Sequence, residues 1–257
     1  MKSIPKNKIQ TSYGTIEYAQ SGEGTPSVIL INGGSGPIEG WLRVFHDIAD
    51  QTRVVAYNRF GVGGSDKPSA PQDGQTIVTS LRQLLQEIGV RPPYILVGHS
   101  LGGLYASLFA RQYSEEIAGV VLLDSSHELD LAINQTQGPF IRGLNRLLGI
   151  FDSFSAHRKW NEVNYVEETT QQIAMAGPFP EVPLFVVSGG KKPPMMPESA
   201  FEIRQKNQLD LVSLSNQGKH IIAANSGHFP QFSEPELVKK VISECIHAAR
   251  NSLKAPK

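Results

Sequence analysis

Buried-strand patterns and helical patterns alternate along most of the chain. Apolar runs, which are typical of strands covered on both faces, lie at residues 27–31, 52–57, 94–97, 118–123, 182–187 and 219–224. Apolar residues at helical spacing lie at residues 38–49, 77–88, 101–113, 197–208 and 236–253. Parallel neighbours need crossover connections, so this alternation predicts an α/β fold with a parallel sheet and helices on both faces. Residues 8–20 precede it and predict two short antiparallel strands that turn at residues 12–14.

The alternation stops between residues 125 and 180. Amphipathic segments occur at residues 140–150 and 160–175, and no convincing strand pattern accompanies them. The pattern predicts a helical cap inserted after the strand at 118–123 and lying over the C-terminal edge of the sheet. A core domain would then comprise residues 1–124 and 181–257.

The segment from Tyr94 to Tyr105 carries the strongest chemical pattern. Its apolar run leads into Gly98-His99-Ser100-Leu101-Gly102, and small residues at helical positions follow. Gly-x-Ser-x-Gly between a strand and a helix is typical of a nucleophile elbow, a tight turn whose glycines avoid steric clashes. The turn would lift the Ser100 hydroxyl out of the sheet toward a cleft. The alternative is a glycine-rich turn with an incidental serine.

A serine hydroxyl needs a base to take its proton, and seven histidines compete for that role. His228 is the best placed, because it lies in a polar loop after the last predicted strand, at the edge toward which the elbow points. His99 lies inside the elbow, whose turn should aim it away from Ser100, and His127 could line the pocket. The other histidines occupy predicted helices or the start of a strand: His46, His157, His220 and His247.

A histidine base needs a carboxylate that holds its tautomer and stabilises the imidazolium. Asp124 follows a buried strand at the same predicted edge, and it completes the chain order Ser, Asp, His. Its alternative role is to cap a helix or form a turn at the start of the insertion. Glu198 and Asp210, which both lie between the last two strands, are the rival acids.

Two backbone amides are candidates to stabilise an oxyanion. The Leu101 N–H lies at the start of the helix after the elbow, where unpaired donors and the helix dipole favour negative charge. The glycine-rich loop at residues 32–36 follows the first buried strand, and Gly34 is its best candidate donor. This loop lacks the Gly-Lys-Ser/Thr ending of a phosphate-binding P-loop.

Composition narrows the class of partner. The chain has 257 residues, 24 Lys and Arg against 24 Asp and Glu, and a formal net charge of zero. This balance argues against nucleic acid or an anionic membrane as a partner. The expected partner is a small-molecule substrate. Cys245, the single cysteine, lies in an apolar helical pattern and is expected to be a packing residue. The N-terminus lacks the apolar stretch of a signal peptide, so a cytoplasmic location is expected.

Four segments together resemble the α/β-hydrolase superfamily: residues 32–34, 59–66, 98–103 and 227–230. The resemblance extends from about Ile16 to the last helix. It implies an eight-stranded, mostly parallel sheet with a helical cap after the sixth strand. It also implies Ser100 as nucleophile, His228 as base, and Leu101 with Gly34 as the oxyanion hole.

The chain departs from the superfamily pattern at three positions. Asn32 stands where members usually carry histidine, and Asn58 stands where they often carry aspartate. The acid of the family usually follows the seventh strand, and residues 188–194 contain none. Some members place it after the sixth strand, where Asp124 stands.

The sequence therefore predicts a serine hydrolase, specifically a carboxylesterase for small or medium-sized esters, whose reaction needs no metal or organic cofactor. The same residues could serve amide, lactone or carbon–carbon bond hydrolysis or perhydrolysis, and a binding protein could retain the fold. Five aromatic residues are candidates for the pocket walls: Trp41, Phe140, Phe154, Trp160 and Phe229.

Overall fold

The computed structural model describes residues 2–130, 158–194 and 196–254. Within these ranges one eight-stranded sheet has the order β1-β2-β4-β3-β5-β6-β7-β8. Its strands are β1 (Asn7–Thr11), β2 (Gly14–Ser21), β3 (Ser27–Ile31), β4 (Val54–Tyr57), β5 (Tyr94–His99), β6 (Ile117–Leu123), β7 (Leu184–Gly189) and β8 (Gly218–Ala223). Pairing is antiparallel from β1 to β2 and from β2 to β4, and parallel between the remaining neighbours. The predicted α/β class with a mostly parallel sheet is confirmed.

Helices cover both faces of this sheet. They are α1 (Phe45–Ala49), α2 (Gly74–Glu87), α3 (Leu101–Gln112), α4 (Val166–Met175), α5 (Glu198–Val212), α6 (Pro230–Ser233) and α7 (Pro235–Lys254). Alternate residues of β5 enter opposite cores, because successive side chains of a strand point to opposite faces. Leu96 packs with α2 and α3, whereas Ile95 and Val97 pack with α1 and α7. Cys245 of α7 is fully buried in the second core, as expected of a packing residue.

Several element boundaries differ from the sequence prediction. Residues 38–49 form a 3₁₀ turn (Ile38–Trp41) followed by the short α1 rather than one helix. Helix α2 begins before residue 77, because the Asp73 side chain accepts a hydrogen bond from the Thr76 N–H at 2.8 Å and caps it. Strand β8 is an edge strand with partly exposed residues rather than a fully buried one.

The predicted insertion is described at residues 125–130 and 158–180. Helix α4 packs against α2 and α3, with Thr169 and Ile173 buried. This part of the insertion therefore lies against a helical layer as well as near the sheet edge. The amphipathic segment predicted at residues 140–150, together with Phe140, Phe154 and His157, lies outside the described residues. The domain boundaries at residues 124 and 181 stay a prediction.

Every helix in the described ranges is either too short or too polar to serve as a transmembrane span.

Truncation of the buried Leu96 side chain tests the central position of β5. We expect Leu96→Ala to lower the free energy of unfolding by about 2–5 kcal/mol, because it removes apolar contacts and leaves a cavity. Ile222→Ala is the matched control, since Ile222 lies on the edge strand of the same sheet and is 57% exposed. Urea unfolding measures both variants, and equal losses would contradict the central burial of β5.

Candidate active site

Three polar side chains from distant segments meet at the C-terminal edge of the sheet. Ser100 follows β5, Asp124 follows β6, and His228 lies in the loop after β8. The His228 Nε2 atom lies 2.9 Å from Ser100 Oγ, and His228 Nδ1 lies 2.6 Å from Asp124 Oδ2. Both Ser100 and Asp124 are buried. The structure thus brings together the three residues that the sequence nominated.

The rival acids lie elsewhere. The Asp210 carboxylate is 2.9 Å from His127 Nε2, and Glu198 is an exposed residue 3.6 Å from Lys192 Nζ. Asp124 is therefore the nominated acid whose carboxylate contacts His228. His127 is also occupied away from the cavity, since its ring binds Asp210.

The turn at Ser100 has the geometry that its glycines permit. Ser100 has φ 51° and ψ −124°, a strained conformation for a residue with a Cβ atom. A Cβ at Gly98 would lie 2.6 Å from the Gly102 carbonyl oxygen, and a Cβ at Gly102 would lie 2.3 Å from the Ile31 carbonyl oxygen. Both distances are too short for real contacts, so the two positions need glycine for the close approach of β3, β5 and α3.

Three groups hold the Asp124 carboxylate and the Asp124 carbonyl oxygen. Its Oδ1 accepts a hydrogen bond from the Gly189 N–H at 3.1 Å, and its Oδ2 accepts from the His228 ring. The Arg204 guanidinium of α5 donates to Asp124 Oδ2 at 2.7 Å and to the Asp124 carbonyl at 2.9 Å. Burial by itself would raise the pKa of Asp124, but the Arg204 charge and the hydrogen bond from His228 outweigh it and hold that pKa well below its ordinary value. The Asp124 carboxylate is therefore ionised at neutral pH.

Arg204 is a site residue that the sequence reasoning missed. It lies on one face of α5 with Asn207 and Gln208, and all three side chains are buried. Asn207 donates to Asp130 Oδ1 at 2.6 Å, and Gln208 donates to the Ser125 carbonyl at 2.7 Å. Polar residues spaced three and four apart on a helix that packs against the sheet were the available signal.

His99 binds the loop that carries His228. Its Nε2 donates to the His228 carbonyl oxygen at 2.7 Å, so its ring contacts the backbone of His228 rather than the Ser100 hydroxyl. Burial, followed by the nearby His228 ring, lowers the pKa of His99 to about 3. A neutral imidazole therefore fixes the position of this loop at physiological pH.

The candidate oxyanion donors are the N–H groups of Leu101, which follows Ser100 in the chain, and Gly34. Leu101 begins α3, and Gly34 lines a cavity of about 300 Å³ together with Ser100 and His228. Among the residues that the structure describes, neither the Leu101 N–H nor the Gly34 N–H has a hydrogen-bond acceptor. Within the described part of the structure, both amides are therefore available to a ligand.

The cavity wall only partly matches the predicted aromatic residues. Phe229 lines it, with Gln231 and Phe232 as neighbours that the sequence did not nominate. Trp41 is instead fully buried in the core beneath α1. Trp160 is not part of the described lining, and Lys159 stacks on its ring.

Comparison with known proteins identifies the fold family. A sequence profile described as alpha/beta hydrolase fold matches residues 26–153. The chain belongs to the α/β-hydrolase fold superfamily. The resemblance inferred from the motifs is thereby confirmed.

Two curated relatives of this α/β-hydrolase illustrate its sequence neighbourhood. The uncharacterized protein YqjL of Bacillus subtilis (strain 168) is 27% identical over 97% of this chain and 95% of its own length. A human (lyso)-N-acylphosphatidylethanolamine lipase is 28% identical over 48% of this chain and 36% of its own length.

Two solved structures share the fold at lower identity. A thermophilic esterase from Thermogutta terrifontis has a TM-score of 0.66 at 19% identity, with 95% of this chain and 99% of that chain covered. The enol-lactonase from Burkholderia xenovorans LB400 has a TM-score of 0.67 at 16% identity, with 94% and 100% covered. These similarities concern the fold, which supports more than one hydrolytic reaction.

Replacement of His99 tests the burial of its neutral imidazole. The unfolded chain binds a proton at this residue below about pH 6.5, whereas the folded chain stays neutral there down to about pH 3. The contribution of neutral His99 to the free energy of unfolding is therefore complete above pH 6.5. It is lost as the pH falls from about 6.5 toward about 3, by up to about 1.4 kcal/mol per pH unit.

We expect His99→Gln, which keeps a donor and removes the titration, to flatten the decline in the free energy of unfolding between pH 6.5 and pH 4. Urea unfolding at several pH values measures it. The difference between the two proteins at pH 8 gives the packing cost of the substitution and serves as the internal control. Parallel pH curves for the wild type and the variant would contradict the prediction.

Proposed function

We propose that the chain is a serine hydrolase that cleaves small or medium-sized carboxylic esters through an acyl-enzyme on Ser100. The continuous hydrogen-bonded row from the Ser100 hydroxyl through His228 to the Asp124 carboxylate carries this proposal. It opens on a cavity that is large enough for a small acyl or alcohol group.

The ionised Asp124 sets the tautomer of the base. A carboxylate only accepts hydrogen bonds, so His228 Nδ1 carries the proton and Nε2 presents a lone pair to the Ser100 hydroxyl. As Ser100 attacks the ester carbonyl, Nε2 takes the hydroxyl proton and later gives it to the leaving alcohol. Water then attacks the acyl-enzyme with the same base, which releases the acid and restores Ser100.

The negative charge of the tetrahedral intermediate needs donors that are in place before reaction. The Leu101 N–H and the Gly34 N–H supply them in this proposal. The Leu101 amide lies at the N-terminus of α3, where the helix dipole adds positive potential. Neither group has to give up a contact within the described residues before it binds the oxyanion.

The comparisons support a hydrolytic enzyme with the α/β-hydrolase fold. They do not select an ester as its substrate. The human relative is named as a lipase, and the Thermogutta protein is described as an esterase. Amide, lactone and carbon–carbon bond hydrolysis, perhydrolysis, and ligand binding without turnover are the alternatives to ester hydrolysis.

A fluorophosphonate probe and short-chain nitrophenyl esters test the nucleophile and base. We expect the wild type to label and to hydrolyse the ester, Ser100→Ala to lose both properties, and His228→Ala to lose turnover. His127→Gln is the matched control, because His127 is also a buried histidine after a strand but binds Asp210. A wild type that neither labels nor hydrolyses any ester would contradict the proposal and favour a binding protein.

Replacement of the acid tests the role of Asp124. We expect Asp124→Asn to lower kcat by about 10⁴-fold, because the amide no longer selects the Nδ1–H tautomer. Asp210→Asn is the control at the rival position, and its rate should stay near that of the wild type. Steady-state kinetics on folded protein, checked by circular dichroism, measures both. A near-normal rate for Asp124→Asn would assign the acid elsewhere.

A further inference from the structure

A buried ion pair joins the insertion to the loop after β4. The Arg59 guanidinium binds Glu162 through two parallel hydrogen bonds, from Nε to Oε2 and from Nη2 to Oε1 at 2.8 Å. The two side chains are only 4% and 6% exposed. The Tyr105 hydroxyl of α3 lies 3.4 Å from Glu162 Oε2. The pair is therefore enclosed beside the helix that follows the nucleophile.

This ion pair makes hydrogen bonds to the backbone of the loop that contains Gly34. Arg59 Nη1 donates to the Asn32 carbonyl at 2.9 Å, and Arg59 Nη2 donates to the Gly33 carbonyl. Glu162 Oε1 accepts a hydrogen bond from the Ser35 N–H at 2.6 Å. Arg59 therefore holds the carbonyl groups of Asn32 and Gly33, and Glu162 holds the N–H of Ser35. Hydrogen bonds thus fix the backbone on both sides of the Gly33–Gly34 peptide.

Because that peptide is planar, these hydrogen bonds also fix the direction of the Gly34 N–H. In a trans peptide the C=O and the following N–H point in opposite directions, and the bond between Gly33 and Gly34 is trans. The Gly33 carbonyl accepts from Arg59 and from the Gly36 N–H at 3.1 Å. The Gly34 N–H therefore points away from the guanidinium, and Gly34 and Ser100 both line the cavity.

The two charges depend on each other. Burial by itself would lower the pKa of Arg59, but the Glu162 charge outweighs burial and holds that pKa above its ordinary value. A planar guanidinium held at Nε and Nη2 by a carboxylate keeps its remaining donors in fixed directions, which lysine could not do. Loss of Glu162 would leave a buried cation without a carboxylate partner and free the guanidinium to rotate.

We propose that Arg59 and Glu162 are positioning residues that orient the Gly33–Gly34 peptide toward the oxyanion, so that the insertion completes the oxyanion hole. The inference rests on the hydrolase function proposed above and goes beyond it. It gives Glu162, a residue of the insertion, a role in stabilising the oxyanion of the transition state. This role is additional to any role of the insertion in substrate selection.

A role in the oxyanion hole differs measurably from a role in stability alone. An interaction that forms only in the transition state lowers kcat and leaves KM nearly unchanged when it is removed. Its removal also weakens the binding of a tetrahedral adduct, such as that formed by a boronic acid on Ser100, more than it weakens the binding of a ground-state product acid.

The test compares Glu162→Gln and Arg59→Lys with the wild type on a short-chain nitrophenyl ester. Loss of one oxyanion donor costs about 10²–10³ in kcat, so we expect misorientation to lower kcat by at least about tenfold, with KM within about twofold. The affinity for a boronic acid should fall in parallel with kcat. Complete fluorophosphonate labelling at long times would verify that Ser100 is folded and reactive in each variant.

Ile173→Ala is the matched control, with Ile173→Val as a milder form. Ile173 is buried where α4 packs against the core. This variant should lower the melting temperature while folded protein keeps its kcat. An unchanged kcat in Glu162→Gln, or equal losses of kcat in Glu162→Gln and Ile173→Ala at equal melting temperature, would overturn the positioning role. A wild type without esterase activity would instead overturn the proposed function.

Discussion

The hydrogen bond between His228 and Asp124 depends on where parallel strands end. Strands β5, β6 and β8 run in the same direction, so the residues that follow them arrive at one edge although the chain separates them widely. A β6 register shifted by one residue would turn Asp124 to the other face of the sheet. The two apolar cores on either side of the sheet fix that register, and the site therefore depends on packing that lies below it.

Backbone strain is concentrated at the same edge. Within the described residues, Ser35, Ser100 and Asp124 are the non-glycine residues with positive φ. Ser35 lies in the candidate oxyanion loop, Ser100 lies in the turn after β5, and Asp124 follows β6. Such conformations cost of order 1–3 kcal/mol each and persist only where surrounding contacts over-determine them. The contacts found here are a carboxylate on the Ser35 amide, the close packing of glycines around Ser100, and Arg204 on Asp124.

Two buried arginines organise the polar part of the site. Arg204 balances the charge of Asp124, and Arg59 balances that of Glu162. In a low-dielectric interior an unpaired charge is costly, so each pair also fixes the geometry of the groups that surround it. Arg204 ties α5 to the acid, and Arg59 ties the insertion to the loop of Gly34. The sheet edge is thus held by charges that come from elements outside it.

The sequence by itself determined the α/β class and the tight glycine turn at Ser100, because buried strands and such turns leave local signals. It nominated Ser100 and His228, and it left Asp124, Glu198 and Asp210 as rival acids. It did not identify Arg204, Glu162 or the anchoring role of His99. An ion pair between residues 59 and 162 has no periodicity or spacing, since its partners meet only after the helices have packed. Only the tertiary structure decided which acid contacts His228 and which charges hold the loops, because those contacts join elements that are remote along the chain.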